Sequence, residues 1–301
     1  MATGWVSSRL WEEDDFLKTQ IIEKLKAISR QKKYPDGTDY NSISLEGIPS
    51  LAKSFKVDNR KIEIIALEEG IVPERYARNM KTFSPEDQAN LLKSQVSIVG
   101  LGGLGGTVSE ILARTGIGTL NLIDGDRFEA SNLNRQFLCN YETMGKYKTE
   151  SAVKRIQEIN ASITVRRYDE YLDNKNSETV ICPSDVIVDC LDNIKTRFTL
   201  ENASKKAGSP LVSAAVAGLS GHVTTIFPED PGLKLIYGRP DDLKSKGAET
   251  SLGCLSSAVS VLAAFETAEV IKIILNRGSL LRNKLLIIDL LDNITEVLNL
   301  Q

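Results

Sequence analysis

The chain is predicted to fold as an α/β protein: a doubly wound, mostly parallel sheet with a C-terminal antiparallel extension and an N-terminal helical region. Three observations lead there. From Gln95 onward, short apolar runs alternate with helix-periodic stretches across short connections, the pattern of a parallel sheet wrapped by helices. The first of those runs, Val96-Ser-Ile-Val99, passes directly into a glycine-rich loop, Gly100-Leu-Gly102-Gly103-Leu-Gly105-Gly106. Upstream of Gln95, residues 1 to about 90 carry helical periodicity and no clear strand.

The elements follow in order. Between Trp11 and Ile28, the residues Phe16, Leu17, Ile21, Leu25 and Ile28 recur at spacings of three and four, one face of a helix. Tyr34-Pro-Asp-Gly37 is a turn signal. Two shorter helices are expected over Ser44–Phe55 and Asp58–Glu69, with Asp58 as N-cap and Gly70 as stop. Ser84 followed by Pro85 caps a further helix leading to Gln95. Strands are then expected at 95–100, 119–124, 162–168, 185–190 and 210–216, and helices at 105–115, 147–159 and 194–207. A short strand from His222 to Phe227 precedes a loop rich in glycine, proline and charge. A long apolar helix at about 257–275 and a terminal hairpin follow, Lys284–Asp289 with Ile294–Leu300 around the turn Asp292-Asn293.

The bulk properties exclude several classes. A formal charge of −3 from 37 basic and 40 acidic residues gives no electrostatic reason to expect nucleic acid as main ligand. No uncharged apolar run reaches the roughly 18 residues that a membrane span needs, and the first residues lack the pattern of a signal peptide. The four cysteines, Cys139, Cys182, Cys190 and Cys254, are scattered, which suits reduced thiols in a cytoplasmic protein better than a disulfide framework.

The chemistry lies between Val96 and Asn193. A strand, Gly100-x-Gly102-x-x-Gly105 and a helix make a Rossmann-like fingerprint. Its glycines allow close backbone approach, and the helix N-terminus offers N–H groups to phosphate. Asp124 ends the next strand, where an acid can hydrogen-bond ribose hydroxyls. To this point a nicotinamide-dependent oxidoreductase and an ATP user fit equally. Asn132, Arg135 and Lys148 then add an amide and two cations. Redox chemistry has little use for these, whereas release of pyrophosphate needs them. Asp192 closes a further strand at the sheet edge where open α/β proteins bind ligands; it is a natural magnesium ligand or, alternatively, a helix N-cap.

Taken together, Gly100-Leu-Gly-Gly-Leu-Gly105, Asp124-Gly-Asp126, Ser131-Asn-Leu-Asn-Arg-Gln136, Gly145-x-x-Lys148 and Asp189-Cys-x-Asp-Asn193 resemble the ThiF/MoeB/HesA family, prokaryotic relatives of ubiquitin-activating enzymes. The resemblance runs from about Glu74 to Leu300. It implies an N-terminal region over 1–72 and an adenylation domain over 73–301, with a nucleotide-binding core at 95–218 and a crossover loop at 228–253. It also implies ATP, magnesium, a homodimer, and adenylation of the C-terminal Gly-Gly carboxylate of a small β-grasp carrier of the ThiS or MoaD type.

Carried to this sequence, the resemblance implies that Gly100, Gly102, Gly103 and Gly105 cradle phosphate. Asp124 would bind ribose with Asp126 close by. Asn132, Arg135 and Lys148 would hold the triphosphate, supported by Gln136, with Asn193 beside Asp192, the magnesium ligand. Arg75-Tyr-Ala-Arg78 matches an N-terminal family segment, so that Arg78 would reach the partner subunit's ATP. Many members carry two Cys-x-x-Cys pairs for structural zinc; here there are none, and no zinc is expected. Cys254 is the only candidate for a covalent link to the carrier; its alternative is a small residue opening an apolar helix.

No general base is required, because a C-terminal carboxylate is already ionised at pH 7. The one histidine, His222, lies far along the chain from these motifs. The alternatives are adenylation of a peptide or of a tRNA base, and a non-catalytic nucleotide-sensing module. Ser44–Glu69 also has the cadence of a helix-turn-helix. Residues 1–90 carry 14 basic against 15 acidic side chains, however, and a DNA reader normally shows a basic face, so a helical cap is favoured.

Overall fold

A computed structural model of the protein describes residues 15–181, 184–238 and 249–300. Trp11, Cys182 and much of the expected crossover loop lie outside the described residues. The chain divides into two compact units, parting between Lys93 and Ser94, later than the expected boundary at residue 72.

The first unit contains α1 (Asp15–Ile28), β1 (Arg30–Lys33), β2 (Asp39–Ile43), α2 (Gly47–Phe55), α3 (Asn59–Glu68), β3 (Ile71–Pro73) and α4 (Pro85–Lys93). The expectation of a region without strands is corrected here: β1, β2 and β3 form a three-stranded sheet in that order. β1 reads Arg-Gln-Lys-Lys and is exposed throughout, so no apolar alternation could announce it. It is held by antiparallel pairing to β2 across a turn in which Asp36 Oδ1 accepts from Thr38 N–H at 3.1 Å. Stacked Tyr34 and Tyr40 rings, 4.0 Å between centroids, close the hairpin.

The caps fall where the sequence puts them. Asp58 accepts from Lys61 N–H ahead of α3, and Ser84 and Asp87 exchange bonds at the start of α4. The helix-turn-helix cadence is real in spacing, but α3 is not available to a DNA groove. Its residues 62–67 are all buried. Ile62 and Ile65 enter a core with Ile21, Leu25 and Ile48, while Ile64 and Leu67 enter another with Val72, Tyr76 and Leu92.

The second unit is an eight-stranded sheet. Its strands are β4 (Gln95–Val99), β5 (Thr119–Ile123), β6 (Thr164–Tyr168), β7 (Val186–Asp189), β8 (Leu211–Ala217), β9 (Ser220–Ile226), β10 (Lys284–Asp289) and β11 (Ile294–Asn299). Spatial order is β11-β10-β9-β8-β7-β4-β5-β6. The five strands from β8 to β6 run parallel, and β9, β10 and β11 continue antiparallel. The helices are α5 (Gly103–Thr115), α6 (Lys148–Ile159), α7 (Ser177–Val180), α8 (Ile194–Ala207), α9 (Lys234–Tyr237), α10 (Glu249–Leu252) and α11 (Ser256–Leu275).

In this sheet α5 packs against α6 and α11, and α7 against α8. The α8 core takes alternate strand residues, Val99, Ile123, Ile187 and Leu211, as the two-residue period of a strand requires. Chain direction reverses between β4 and β7, the switch point where doubly wound sheets open a crevice at the strands' C-terminal ends. No helix among the described residues is long and apolar enough to cross a membrane.

Candidate active site

The crevice exists. A cleft of about 590 Å³ opens at the C-terminal ends of β4, β5 and β7, and the glycine loop forms one wall. Gly100 turns at φ +88°, and a Cβ there would stand 2.7 Å from the Cys190 carbonyl oxygen. A Cβ on Gly105 would stand 1.8 Å from the Gly100 carbonyl oxygen, so the first turn of α5 presses directly against the loop. Gly102 is the N-cap of α5 and offers no side-chain bond to the helix's leading N–H groups. Gly102 and Gly103 line the cleft; Gly105 does not, and its task is close packing rather than ligand contact.

Asp124 fixes this loop. Its Oδ2 accepts from Leu101 N–H at 2.6 Å and its Oδ1 from Asp126 N–H at 2.7 Å. Burial still pushes its carboxyl above the ordinary value, outweighing nearby Lys148 and the two backbone donors. Asp126 faces the opposite balance. Burial works to raise it, yet the hydrogen bonds from Lys148 and Tyr171 hold it below the usual carboxylate range. Lys148 Nζ donates to Asp126 Oδ2 at 2.8 Å and Tyr171 OH to Oδ1 at 2.6 Å. The bond to Asp126 in turn pushes the Tyr171 hydroxyl up to about 12. The Tyr171 ring lies so near the backbone that a Cβ on Gly125 would meet it at 2.8 Å.

Arg135 lines the cleft and is steadied by the Ser131 carbonyl at 2.8 Å and Asn134 Oδ1 at 3.0 Å. Gln136 also lines it, with its buried Oε1 lacking a partner. Asp192 stands exposed at the cleft, and among the described residues its carboxylate makes no intramolecular hydrogen bond. Cys254 reaches the cleft from just before α11, two residues ahead of the helix rather than within its first turn. Its backbone bridges to Gly218, and its carbonyl accepts from Asn134 Nδ2 at 3.4 Å.

Three expected residues are used differently. Asn132 is absent from the cleft lining; its Oδ1 accepts from Glu129 N–H at 3.1 Å and closes a capping box, and Asn134 takes its place at the cleft. Asn193, rather than Asp192, is the N-cap of α8, accepting from Thr196 N–H at 3.1 Å. Arg78 belongs to the first unit, where it is exposed and makes no hydrogen bond or ion pair among the described residues. Its neighbour Arg75 instead pairs with buried Glu63.

Two residues escaped the sequence reading. Tyr171 sits in the loop after β6 with no motif around it. Arg197 is buried on α8, donating to Asp189 Oδ2 at 2.9 Å, the Ala214 carbonyl at 2.7 Å and the Leu191 carbonyl. An arginine four residues after a helix cap, in a stretch otherwise feeding the core, was the available signal.

The residues present fit a nucleotide. The loop is cleared of side chains, a helix N-terminus lacks a side-chain cap, Gln136 has an orphaned buried oxygen, and Lys148 supplies a nearly buried cation. No cluster of three metal-ligating side chains occurs among the described residues, so magnesium at Asp192 would depend on ligands supplied by phosphate, its usual mode.

The chain has relatives with which these features can be compared. It is 32% identical over 221 residues to a protein named SAMP-activating enzyme E1 from Haloferax volcanii, covering 73% of this chain and 82% of that one. It is 34% identical over 218 residues to an adenylyltransferase and sulfurtransferase MOCS3 from Drosophila persimilis, covering 71% of this chain. The chain spans about half the length of the MOCS3 relatives, 48% in that case. Among solved structures, E. coli MccB with MccA-N7isoASN superposes with a TM-score of 0.64 at 26% identity, over 75% of this chain and 72% of that one. The ThiF family model matches residues 76–301. With three quarters of its length so matched, and the glycine loop, Lys148 and Asp192 meeting at one cleft, this chain belongs to the ThiF family.

Proposed function

We propose that this ThiF-family chain is an ATP-dependent adenylyltransferase that activates the C-terminal Gly-Gly carboxylate of a ubiquitin-like sulfur-carrier protein. The observation that carries the proposal is the pairing, within one cleft, of an anion-ready helix N-terminus with a fixed, nearly buried Lys148. Relatives named SAMP-activating enzyme E1 and MOCS3 adenylyltransferase support the choice of substrate.

In this reading Gly102 and Gly103 let the triphosphate approach the leading N–H groups of α5, and Asp124 stands at the ribose. A carrier carboxylate oxygen attacks the α-phosphorus, forming an acyl–adenylate bond while the bond to the β-phosphate oxygen breaks. Lys148 and Arg135 meet the charge that develops on the departing pyrophosphate. Magnesium, held by Asp192 and phosphate oxygens, would neutralise further charge there. The rest is positioning, which needs no general base.

Arg78, exposed and untied within its own unit, would serve the ATP of a second copy in a homodimer. Cys254, at the cleft wall, is the candidate for any later covalent step with the carrier. Reduced thiols, with no disulfide joining Cys139, Cys190 and Cys254, accord with a cytoplasmic setting.

The test is ATP–pyrophosphate exchange by purified protein with candidate Gly-Gly carriers, alongside Asp192→Ala. Carrier-dependent exchange lost in the variant is expected. Magnesium–ATP binding without exchange on any carrier would redirect the search to a peptide or tRNA carboxylate, and no ATP binding would overturn the enzyme reading.

A further inference from the structure

A second cavity of about 370 Å³ adjoins the nucleotide cleft. The two share Asp192, Arg197, Ala215 and Val216 in their walls, so one ligand can occupy both. The second cavity lies over β8, β9 and β10, on the flank of β7 opposite β4 and β5. A nucleotide whose phosphates meet the glycine loop after β4 and whose ribose meets Asp124 after β5 runs away from it.

The cavity's walls are mostly apolar, supplied by Ile194, Ala217, Leu252, Leu285 and Ile287. Leu285 and Ile287 share one face of β10, while the alternate residues Leu286 and Ile288 are buried on the other. His222 is the cross-strand neighbour of Ile287, and its Nε2 lies 3.1 Å from Tyr237 OH. Terminal glycines carry no side chain and cannot fill such a space.

We propose that this cavity is a specificity pocket that takes one uncharged, apolar side chain of the acyl substrate's tail, upstream of its terminal glycines, with Ile287, Leu285 and Tyr237 as its determinants. The proposal rests on the adenylation reading and adds to it which tails are accepted. A tail entering over β9 and β10 delivers its carboxylate past Ala215 and Val216 to the cleft, and places an upstream side chain among the apolar walls. A charged side chain at that position would lose its hydration with no partner of opposite charge supplied by Leu285 or Ile287.

The probe is the Gly-Gly carrier that supports pyrophosphate exchange, with its residues upstream of the glycines replaced one at a time by Leu, Lys and Glu. At one tail position, Lys and Glu should raise KM for the carrier roughly 10- to 100-fold over Leu, the range a hydrophobic pocket discriminates. Ile287→Glu should reverse this order in favour of Lys. Ala217→Leu, which fills the cavity, should raise KM for the Leu tail while leaving magnesium–ATP affinity intact, and that affinity also reports folding of both variants. An active carrier whose tail positions are all indifferent, or whose preference neither variant moves, overturns the pocket and leaves the adenylation reading standing. If no carrier is active, the adenylation reading fails and the pocket with it.

Discussion

Lys148 Nζ stands 2.8 Å from Asp126 Oδ2, with the lysine side chain only 7% exposed and the carboxylate 47% exposed. The cation is thus held from one side, leaving its other donors to the cleft. Lys148→Met should lower kcat/KM for exchange by roughly 10²- to 10³-fold. Asp126→Asn, which keeps the cation but loosens it, should cost about 10-fold. Steady-state exchange kinetics on both variants checks the order; equal losses would place the catalytic charge elsewhere.

Gly102 and Gly105 separate contact with ligand from packing. A methyl group on Gly105 would collide with backbone at 1.8 Å, whereas on Gly102 its nearest neighbour is Gln136 Nε2 at 3.6 Å. Gly105→Ala should therefore destabilise the protein by about 3 kcal/mol. Gly102→Ala should unfold almost normally and instead weaken ATP binding. Chemical denaturation and nucleotide titration, run in parallel, distinguish the two.

Asp192 and Asn193 divide two tasks between adjacent residues. Asn193→Ala should cost about 1 kcal/mol of stability through the lost cap and leave ATP affinity unchanged, with Asn193→Asp restoring stability. Asp192→Ala should do the reverse, sparing stability and abolishing exchange.

The Asp189–Arg197 pair, with side chains 0% and 5% exposed, is a buried ion pair beneath the cleft. Arg197→Met strands the carboxylate and should destabilise by about 3–5 kcal/mol, measured by urea unfolding. Burial, reinforced by Arg197, also pushes His222 down to about 4. The folded value is depressed, so the unfolded chain binds the extra proton first. The resulting stabilisation is complete above about pH 6.5, amounts to about 3 kcal/mol, and is lost as pH falls towards 4. Because the chain has one histidine, a single imidazole NMR signal reports it; titration near 6.5 would refute the burial argument.

The parallel sheet was legible because its strands are short apolar runs bounded by glycines and acids. The expected strands at 119–124 and 210–216 match β5 and β8 nearly to the residue. β1 was not legible, because an exposed strand of arginine, glutamine and lysine carries no burial period and depends on a partner distant from it in sequence. At the cleft, the glycines, Asp124, Arg135, Lys148 and Asp192 were readable as types in order. Asn132 and Asn134 were not separable, since two asparagines two residues apart differ only in which one the turn consumes as a cap. Tyr171 and His222 gave no signal at all, because their positions are set by long-range folding.

Gly218 and Cys254 meet as a backbone bridge, with Gly218 N–H donating to the Gly253 carbonyl at 2.8 Å. The chain between them leaves the cleft and returns to it at one fixed point. For a loop so anchored, each doubling of length costs only about 0.6 kcal/mol in closure entropy. Evolution can therefore lengthen, shorten or rewrite that excursion without disturbing the cleft floor, so substrate preference can diverge among descendants of one catalytic scaffold.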